Sequence, residues 1–496
     1  MNPIKKLLGQ TAIYGLSSIV GRFLNYLLTP LHTDQFTTDQ YGIITEMYAY
    51  VAFLVVLLTY GMETAYFRFS SKHEGSKTSV FSTALISLTI TSFGFIAWAW
   101  AFQQPIANWL QYPNNSEYVL WFAIIVGLDA LGSIPLAKLR QQNKAFHFAG
   151  VNLLNVAVNI GLNVYFIGYC MTMHKAGNTN WLMEHTFNPE IGVGYVFISN
   201  LIASIFKFLV LVPTMLKGHG KLQQKILKEM LWFGIPLLLA GLAGIINETL
   251  DRILLKRLLF DSFGEKATLS QLGIYGANYK ISIIITLFIQ AFRYAAEPFF
   301  FAQQKDKNAK NIYAKVMNYF VAVVAFIFLG VMFNIEYIKY FIPNSAYWEG
   351  LKVVPTLLFA NIFLGIYYNQ SIWYKLTDKT MYGALIAVFG AFITLVMNFI
   401  LIPRIGYVGS AYTTLACYFS MVLFSYFLGQ KYFPITYDLK KIIGYLLGAF
   451  FIWQLWTFVK IDSQVLRELF KWSVLTFVLG ILIFIEKPFQ QWKPKN

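Results

Sequence analysis

Charge is what this sequence of 496 residues most lacks: Asp, Glu, Lys and Arg make up 12% of it. A soluble domain carries about twice that share. Too little polar material exists to cover several soluble domains, so length is no guide to domain count here. Cysteine is nearly absent, with 2 in all, which excludes a disulfide scaffold. Cys170 and Cys417 each lie in an apolar run and read as small core residues, not as a bridge. Glycine at 34 and proline at 15 are too sparse for collagen or low-complexity disorder. No Gly-x4-Gly-Lys-Ser/Thr loop occurs, so ATP is not the expected energy source. His32, His73, His147, His174, His185 and His219 fall in loops or at span ends and form no metal pattern; His147 is expected in a solvated turn and His219 in a basic linker. No catalytic residue, metal or cofactor is therefore expected.

What is abundant is apolar: 57% of residues are hydrophobic and 18% aromatic. A helix needs about 20 apolar residues to cross a bilayer. Such runs lie near 7–31, 42–68, 79–104, 117–137, 148–172, 192–216, 230–255, 271–298, 316–334, 350–374, 382–402, 409–428, 442–459 and 470–486, which makes 14. The expected fold class is an all-α integral membrane protein of about 14 transmembrane helices. The first run is too long for a cleaved signal peptide and carries Arg22. Basic residues are asymmetric between the two sides: 24 fall in segments on the side of the N-terminus and 8 on the other. That bias predicts cytoplasmic termini. It also explains the net charge of +16 without nucleic-acid binding. The longest outer loop, 173–191, spans about 20 residues, too few for a catalytic domain.

The chain repeats itself. Gln40-Tyr41-Gly42-Ile43 lies over Gln271-Leu272-Gly273-Ile274 at an offset of 231, with Tyr48 over Tyr279. Leu139–Lys144 lies over Tyr374–Lys379 at an offset of 235, with Asn163 over Asn398. Six spans separate the copies, so they share one orientation, and a pseudo-two-fold axis along the membrane normal follows. The expected organisation is an N-lobe at 1–216, a cytoplasmic linker at 217–229, a C-lobe at 230–428, and two further spans with a tail at 429–496.

Charges inside a membrane are costly and persist where they face a cavity or a partner. Span one carries Ser18, Arg22, Asn25 and Thr29 on one helical face, and span five Asn152, Asn155, Asn159 and Asn163. Span eight carries Tyr275, Tyr279, Ser282, Thr286, Gln290, Arg293 and Glu297, flanked by Lys280; span seven carries Asn247, Glu248, Asp251 and Arg252. The alternative to a water-filled cavity is helix-to-helix hydrogen bonding, and Glu248/Arg252 and Arg293/Glu297 have the spacing to pair with themselves. The cavity reading gives Arg22, Arg252, Lys280 and Arg293 as contacts for a phosphate or pyrophosphate, since guanidinium forks match phosphate oxygens. Ser18, Asn25, Tyr275, Tyr279 and Gln290 then line a path for sugar hydroxyls and rings. Glu46, Glu63, Asp251 and Glu297 are the candidates for ion coupling, by H+ or Na+; Glu63 leads because it has no basic neighbour at i±4.

These residues resemble a family. Asn398-Phe-Ile-Leu-Ile-Pro-Arg-Ile-Gly-Tyr-Val-Gly-Ser-Ala-Tyr-Thr-Thr-Leu is similar to a signature of polysaccharide exporters, departing at Ser410 and Thr413, where the pattern has alanine. Leu272–Ile281, Leu250–Leu255 and Gly61–Arg68 are similar to the same family's spans eight, seven and two. The chain as a whole resembles the Wzx-type O-antigen flippases of the multidrug/oligosaccharidyl-lipid/polysaccharide (MOP) exporter superfamily, and more distantly the MurJ-type lipid II flippases. The resemblance implies alternating access and a cargo of undecaprenyl-pyrophosphate-linked oligosaccharide for lipopolysaccharide or capsule export, with polysaccharide-assembly proteins as partners. It also implies a functional arginine at Arg22 and a groove for the polyprenyl tail in the last two spans. Asn25-Tyr26-Leu27 lacks the second basic residue expected of lipid II flippases. The competing expectations are a lipid II flippase, a cation-coupled drug exporter, and a membrane polysaccharide polymerase or ligase.

Overall fold

The structure is a computed structural model that describes residue 15 and residues 19–72, 77–217, 220–304 and 306–486. Among these no β-strand occurs. Twelve helical segments are long and apolar enough to cross a membrane. One of them, Gln224–Gln303, is two helices meeting at Gly264, whose φ of 75° suits a residue without a Cβ. Every expected span from the second to the fourteenth thus has its helix; most of the first, 7–31, lies outside the described residues.

The chain divides into two compact units: Met1–Ala277 with Asn398–Tyr407, and Asn278–Met397 with Val408–Asn496. In the first unit, the helices are α1 (Leu28–Gln35), α2 (Thr38–Thr59), α3 (Met62–Lys72), α4 (Lys77–Ala101), α5 (Gln103–Trp109), α6 (Ser116–Gln141), α7 (Ala145–Asn163) and α8 (Gly194–Leu216). α9 is Gln224–Gln303, of which the part up to Ala277 belongs here. A capping box opens α2: Thr37 caps the Gln40 backbone, and the Gln40 side chain returns to the Thr37 amide. α6 packs against α4, α8 and α2. Its core includes Tyr66, Phe69, Phe81, Leu88, Leu131 and Ile134, joined by Met230 of α9.

One crossing within this unit reflects the repeat. A Cβ placed on Gly42 would stand 2.1 Å from the Leu269 carbonyl oxygen, and one on Gly273 would stand 1.8 Å from that of Thr38. Gly42 and Gly273 are repeat mates, and at the same offset so are Thr38 and Leu269. The contact is therefore reciprocal, as a two-fold requires, and the Thr38 and Ser270 hydroxyls bond at 2.7 Å beside it. This back-to-back approach explains why residues up to Ala277 fall in the first compact unit, whereas the sequence repeat begins a new lobe at 230.

The second unit holds the rest of α9, then α10 (Ala309–Phe333), α11 (Val354–Gln370), α12 (Met381–Ile405) as far as Met397, α13 (Tyr407–Tyr432) from Val408, α14 (Leu439–Phe458) and α15 (Gln464–Glu486). α10 packs against α11, α14 and α15. Aromatic residues Tyr367, Trp373, Tyr374 and Tyr418 form a core with Cys417. Both cysteines are free and buried, as the sequence led one to expect.

Candidate functional site

Glu46 and Lys256 form a fully buried ion pair, Nζ to Oε2 2.9 Å. The Tyr112 hydroxyl donates to the same carboxylate oxygen. Lys256 also donates to the Leu110 carbonyl at 2.8 Å and lies 3.6 Å from the centre of the Tyr112 ring. Burial, then the charge of Glu46, push the Tyr112 hydroxyl well above its ordinary range, so it stays a donor. Lys256 stands one residue beyond the expected end of span seven, so by sequence it counts among the 8 basic residues expected on the side opposite the N-terminus. The signal that could have found it is Glu46, since a carboxylate this deep requires a counter-ion.

Asp251, Arg252 and Tyr275 form a second buried cluster in the first unit. The Tyr275 hydroxyl donates to Asp251 Oδ2 at 2.5 Å, and Arg252 Nη1 meets Asp251 Oδ1 at 3.1 Å. Arg252 Nη1 also donates to the Glu248 carbonyl, so the charge that meets the guanidinium is the neighbouring carboxylate, not that of Glu248. Glu63 pairs with Arg140 near the end of α6. Sequence spacing alone could not reveal this partner, because it arrives from another helix.

Span five's asparagines also find partners. His32 Nε2 lies 2.8 Å from Asn163 Oδ1, while Asn163 Nδ2 donates to the Asn159 carbonyl at 2.8 Å. The second bond orients the amide, so His32 Nε2 is the donor. Asn159 Nδ2 in turn donates to Asn25 Oδ1 at 3.1 Å. His32 is thus a buried helical residue. His147 is exposed but lies in α7, not in a turn. A π-helix, Val164–Cys170, begins directly after Asn163. Arg22 is exposed and makes no ion pair with a described residue. Ser18 lies outside the described residues.

In the second unit, the Arg293 guanidinium sits 4.0 Å from the centre of the Tyr368 ring and 3.8 Å from Glu297. Glu297 is closer to Lys375, at 2.6 Å, so the expected Arg293/Glu297 couple is a triad. Gln290 and Lys280 are half-buried, and Tyr279 is buried. Asn278 donates to the Tyr347 carbonyl at 2.8 Å, and Asn361 to Ser282 at 3.2 Å. Span eight's polar face is thus largely taken up by helix contacts. All four carboxylates chosen for ion coupling have a basic partner within ion-pair distance.

A separate apolar cavity of about 350 Å³ lies between α10, α14 and α15, walled by Leu329, Gly448, Ile452 and Leu482 among others. At one end Lys441 meets Glu486 at 3.2 Å, and the Tyr445 hydroxyl donates to the same carboxylate.

Residues 7–304 match the family described as Polysaccharide biosynthesis protein. The chain belongs to that family. It is similar to "Lsg locus putative protein 1" of Haemophilus influenzae, 23% identical over 310 residues, covering 61% of this chain and 68% of that protein. It is also similar to "Uncharacterized membrane protein MJ1068" of Methanocaldococcus jannaschii, 21% identical over 466 residues, covering 88% and 86%. Among solved structures, the lipid II flippase MurJ in an inward closed conformation superposes with a TM-score of 0.72 at 14% identity, over 95% of this chain and 98% of that one. An inward-facing multidrug resistance MATE family transporter of the MOP superfamily gives 0.58 at 14% identity, over 85% and 94%. The family resemblance and the all-α membrane fold read from the sequence are both borne out. This is a multi-pass membrane protein of a flippase and transporter fold tied to polysaccharide biosynthesis.

Proposed function

We propose that this protein moves a polyprenyl-pyrophosphate-linked oligosaccharide from the inner to the outer leaflet of a bacterial cytoplasmic membrane by alternating access, with both termini in the cytoplasm. The observation that carries the reading is the family match combined with the apolar cavity between α10, α14 and α15. A carrier of free sugars has no need of such a cavity, whereas a lipid-linked cargo has a chain to accommodate. Arg22 and Arg293 are each proposed as a phosphate contact, because they keep exposed or half-exposed guanidinium groups. Arg252 is less suited, since its charge is met by Asp251. Lys280, half-buried on span eight, is proposed as a further phosphate contact on the chemistry of its ammonium group. The sugar path falls to Asn25 and Gln290, as Tyr275 and Tyr279 are buried. Glu46, Glu63, Asp251 and Glu297 are each engaged by a cation of the same unit, and we assign them to ion pairing rather than to ion coupling.

The test is reconstitution into vesicles with a fluorescent polyprenyl-pyrophosphate glycan in one leaflet, read by its accessibility to an impermeant quencher. Translocation of the glycan, with lipid II moved more slowly, supports the proposal. Movement of lipid II alone would replace the cargo, and movement of neither would refute flipping.

A further inference from the structure

The cluster around Arg293 repeats a feature of the first unit and adds to it. Glu297 lies over Glu63 at an offset of 234, and Lys375 over Arg140 at an offset of 235. Both pairs are joined in the fold: Glu63 with Arg140, and Glu297 with Lys375 at 2.6 Å. The ion pair is therefore common to the two copies. Arg293 and Tyr368 are not, since at these offsets they lie over Thr59 and Ser133. In the first copy those two hydroxyls donate within their own helices, to the Val55 and Ala130 carbonyls, each at 2.7 Å. In the second copy Lys375 takes the carboxylate. Its ammonium donates to Glu297 Oε1, whereas Arg293 Nη2 stands 3.8 Å from that same oxygen, beyond hydrogen-bond distance. The guanidinium lies instead over the Tyr368 ring, 4.0 Å from its centre. A guanidinium carried on a ring face keeps its edge of N–H donors for an acceptor. The side chains of Arg293, Glu297 and Lys375 are 39%, 41% and 26% exposed, so a ligand can reach them.

We infer that Lys375 and Tyr368 are positioning residues that keep the Arg293 fork open for a phosphate. The inference rests on the reading of Arg293 as a phosphate contact. An arginine and a glutamate four residues apart on one helix pair with each other by default, and a carboxylate held in the fork competes with a phosphate for the same donors. Lys375, carried on the helix Ile372–Leu376, removes that competitor by binding it. Tyr368 of α11 supports the guanidinium from its face, as an aromatic ring does for a cation. Two cations against one carboxylate leave the cluster net positive. The second unit thus turns an ion pair that it shares with the first into an anion site, by adding one cation and one ring.

The experiment titrates the full chain in detergent with a fluorescent geranyl pyrophosphate, whose short chain keeps it in water, and reads binding by anisotropy. Arg293→Ala should weaken binding about tenfold, as the loss of a charge-assisted bond requires. Lys375→Met leaves Glu297 only Arg293 to meet and should weaken binding about fivefold, the upper range for an exposed pair. Glu297→Gln/Lys375→Met removes the competitor as well and should return to within about twofold of the unaltered chain. Lys379→Met removes a nearby cation that lies over the Tyr432 ring at 3.8 Å and should change nothing, which separates pairing from mere loss of charge. Tyr368→Leu should weaken binding about threefold, and Tyr368→Phe should not. Unchanged binding by Arg293→Ala would remove the phosphate contact and this inference with it. If Arg293→Ala weakens binding, three results overturn the positioning role alone: a Lys375→Met protein that binds like the unaltered one, a double variant no better than Lys375→Met, or an equal loss in Lys379→Met. If Lys375→Met does not fold, Glu297→Gln decides. It removes the same competitor from the other side and should bind at least as tightly as the unaltered chain, so weaker binding would overturn the inference.

Discussion

Replacing Lys256 by methionine isolates the energetics of the buried ion pair. Glu46 and Lys256 are both fully buried and 2.9 Å apart. Removing one partner leaves a charge in a low-dielectric interior, which costs about 3–5 kcal/mol. The Leu110 carbonyl loses its 2.8 Å donor as well, adding roughly 1 kcal/mol. In Glu46→Gln/Lys256→Met the buried charge disappears and the Tyr112 hydroxyl keeps an acceptor, so most of the loss should return, leaving about 1 kcal/mol for the unmet carbonyl. Tyr112→Phe should fall between, at about 1.5–3 kcal/mol, the worth of a hydrogen bond to an ionised group. The assay is unfolding of the purified protein in detergent, with the three variants and the unaltered protein ranked by midpoint. A Lys256→Met protein that unfolds with the unaltered one, or a double variant no more stable than the single, would refute the reasoning.

Arg22→Ala and Arg293→Ala should each abolish complementation of a flippase-deficient strain at unchanged membrane levels, and lysine should rescue only partly because it loses the fork. Gly273→Ala should destabilise by about 1–3 kcal/mol through overpacking, since its methyl would stand 1.8 Å from a backbone oxygen. Gly480→Ala, with open space around its Cβ, should be neutral or slightly stabilising in the same unfolding assay. A periplasm-dependent reporter fused after Asn496 should stay silent, and activity there would reverse the proposed orientation.

Helical spans, the repeat and the polar faces were legible in the sequence, because each rests on short-range periodicity. The 3.6-residue period put Tyr275, Tyr279 and Ser282 on one face of span eight. It could not say what that face meets. In the fold it meets Asp251 and Asn361, so much of the stripe is packing and not lining. The repeat likewise paired Gly42 with Gly273 by register, and only the tertiary structure brought their helices together.

Partners from distant parts of the chain were not legible. Glu63 looked unpaired because its own helix offers no cation at i±4, yet Arg140 reaches it from α6. Lys256 read as a loop charge, yet it reaches the Leu110 carbonyl 146 residues away and Glu46 beside it. Asn163 and His32, separated by 131 residues, read as part of a polar helix face and a residue in a loop or at a span end. The physical reason is the same in each case. Burial makes a lone charge or amide costly and so dictates that a partner exists, but which residue fills the role depends on helix packing, and helix packing is decided by the whole chain. By itself the sequence therefore determined a membrane-spanning helical protein with polar groups in its spans. The tertiary structure decided which of those groups satisfy one another, and which, such as Arg22, remain exposed.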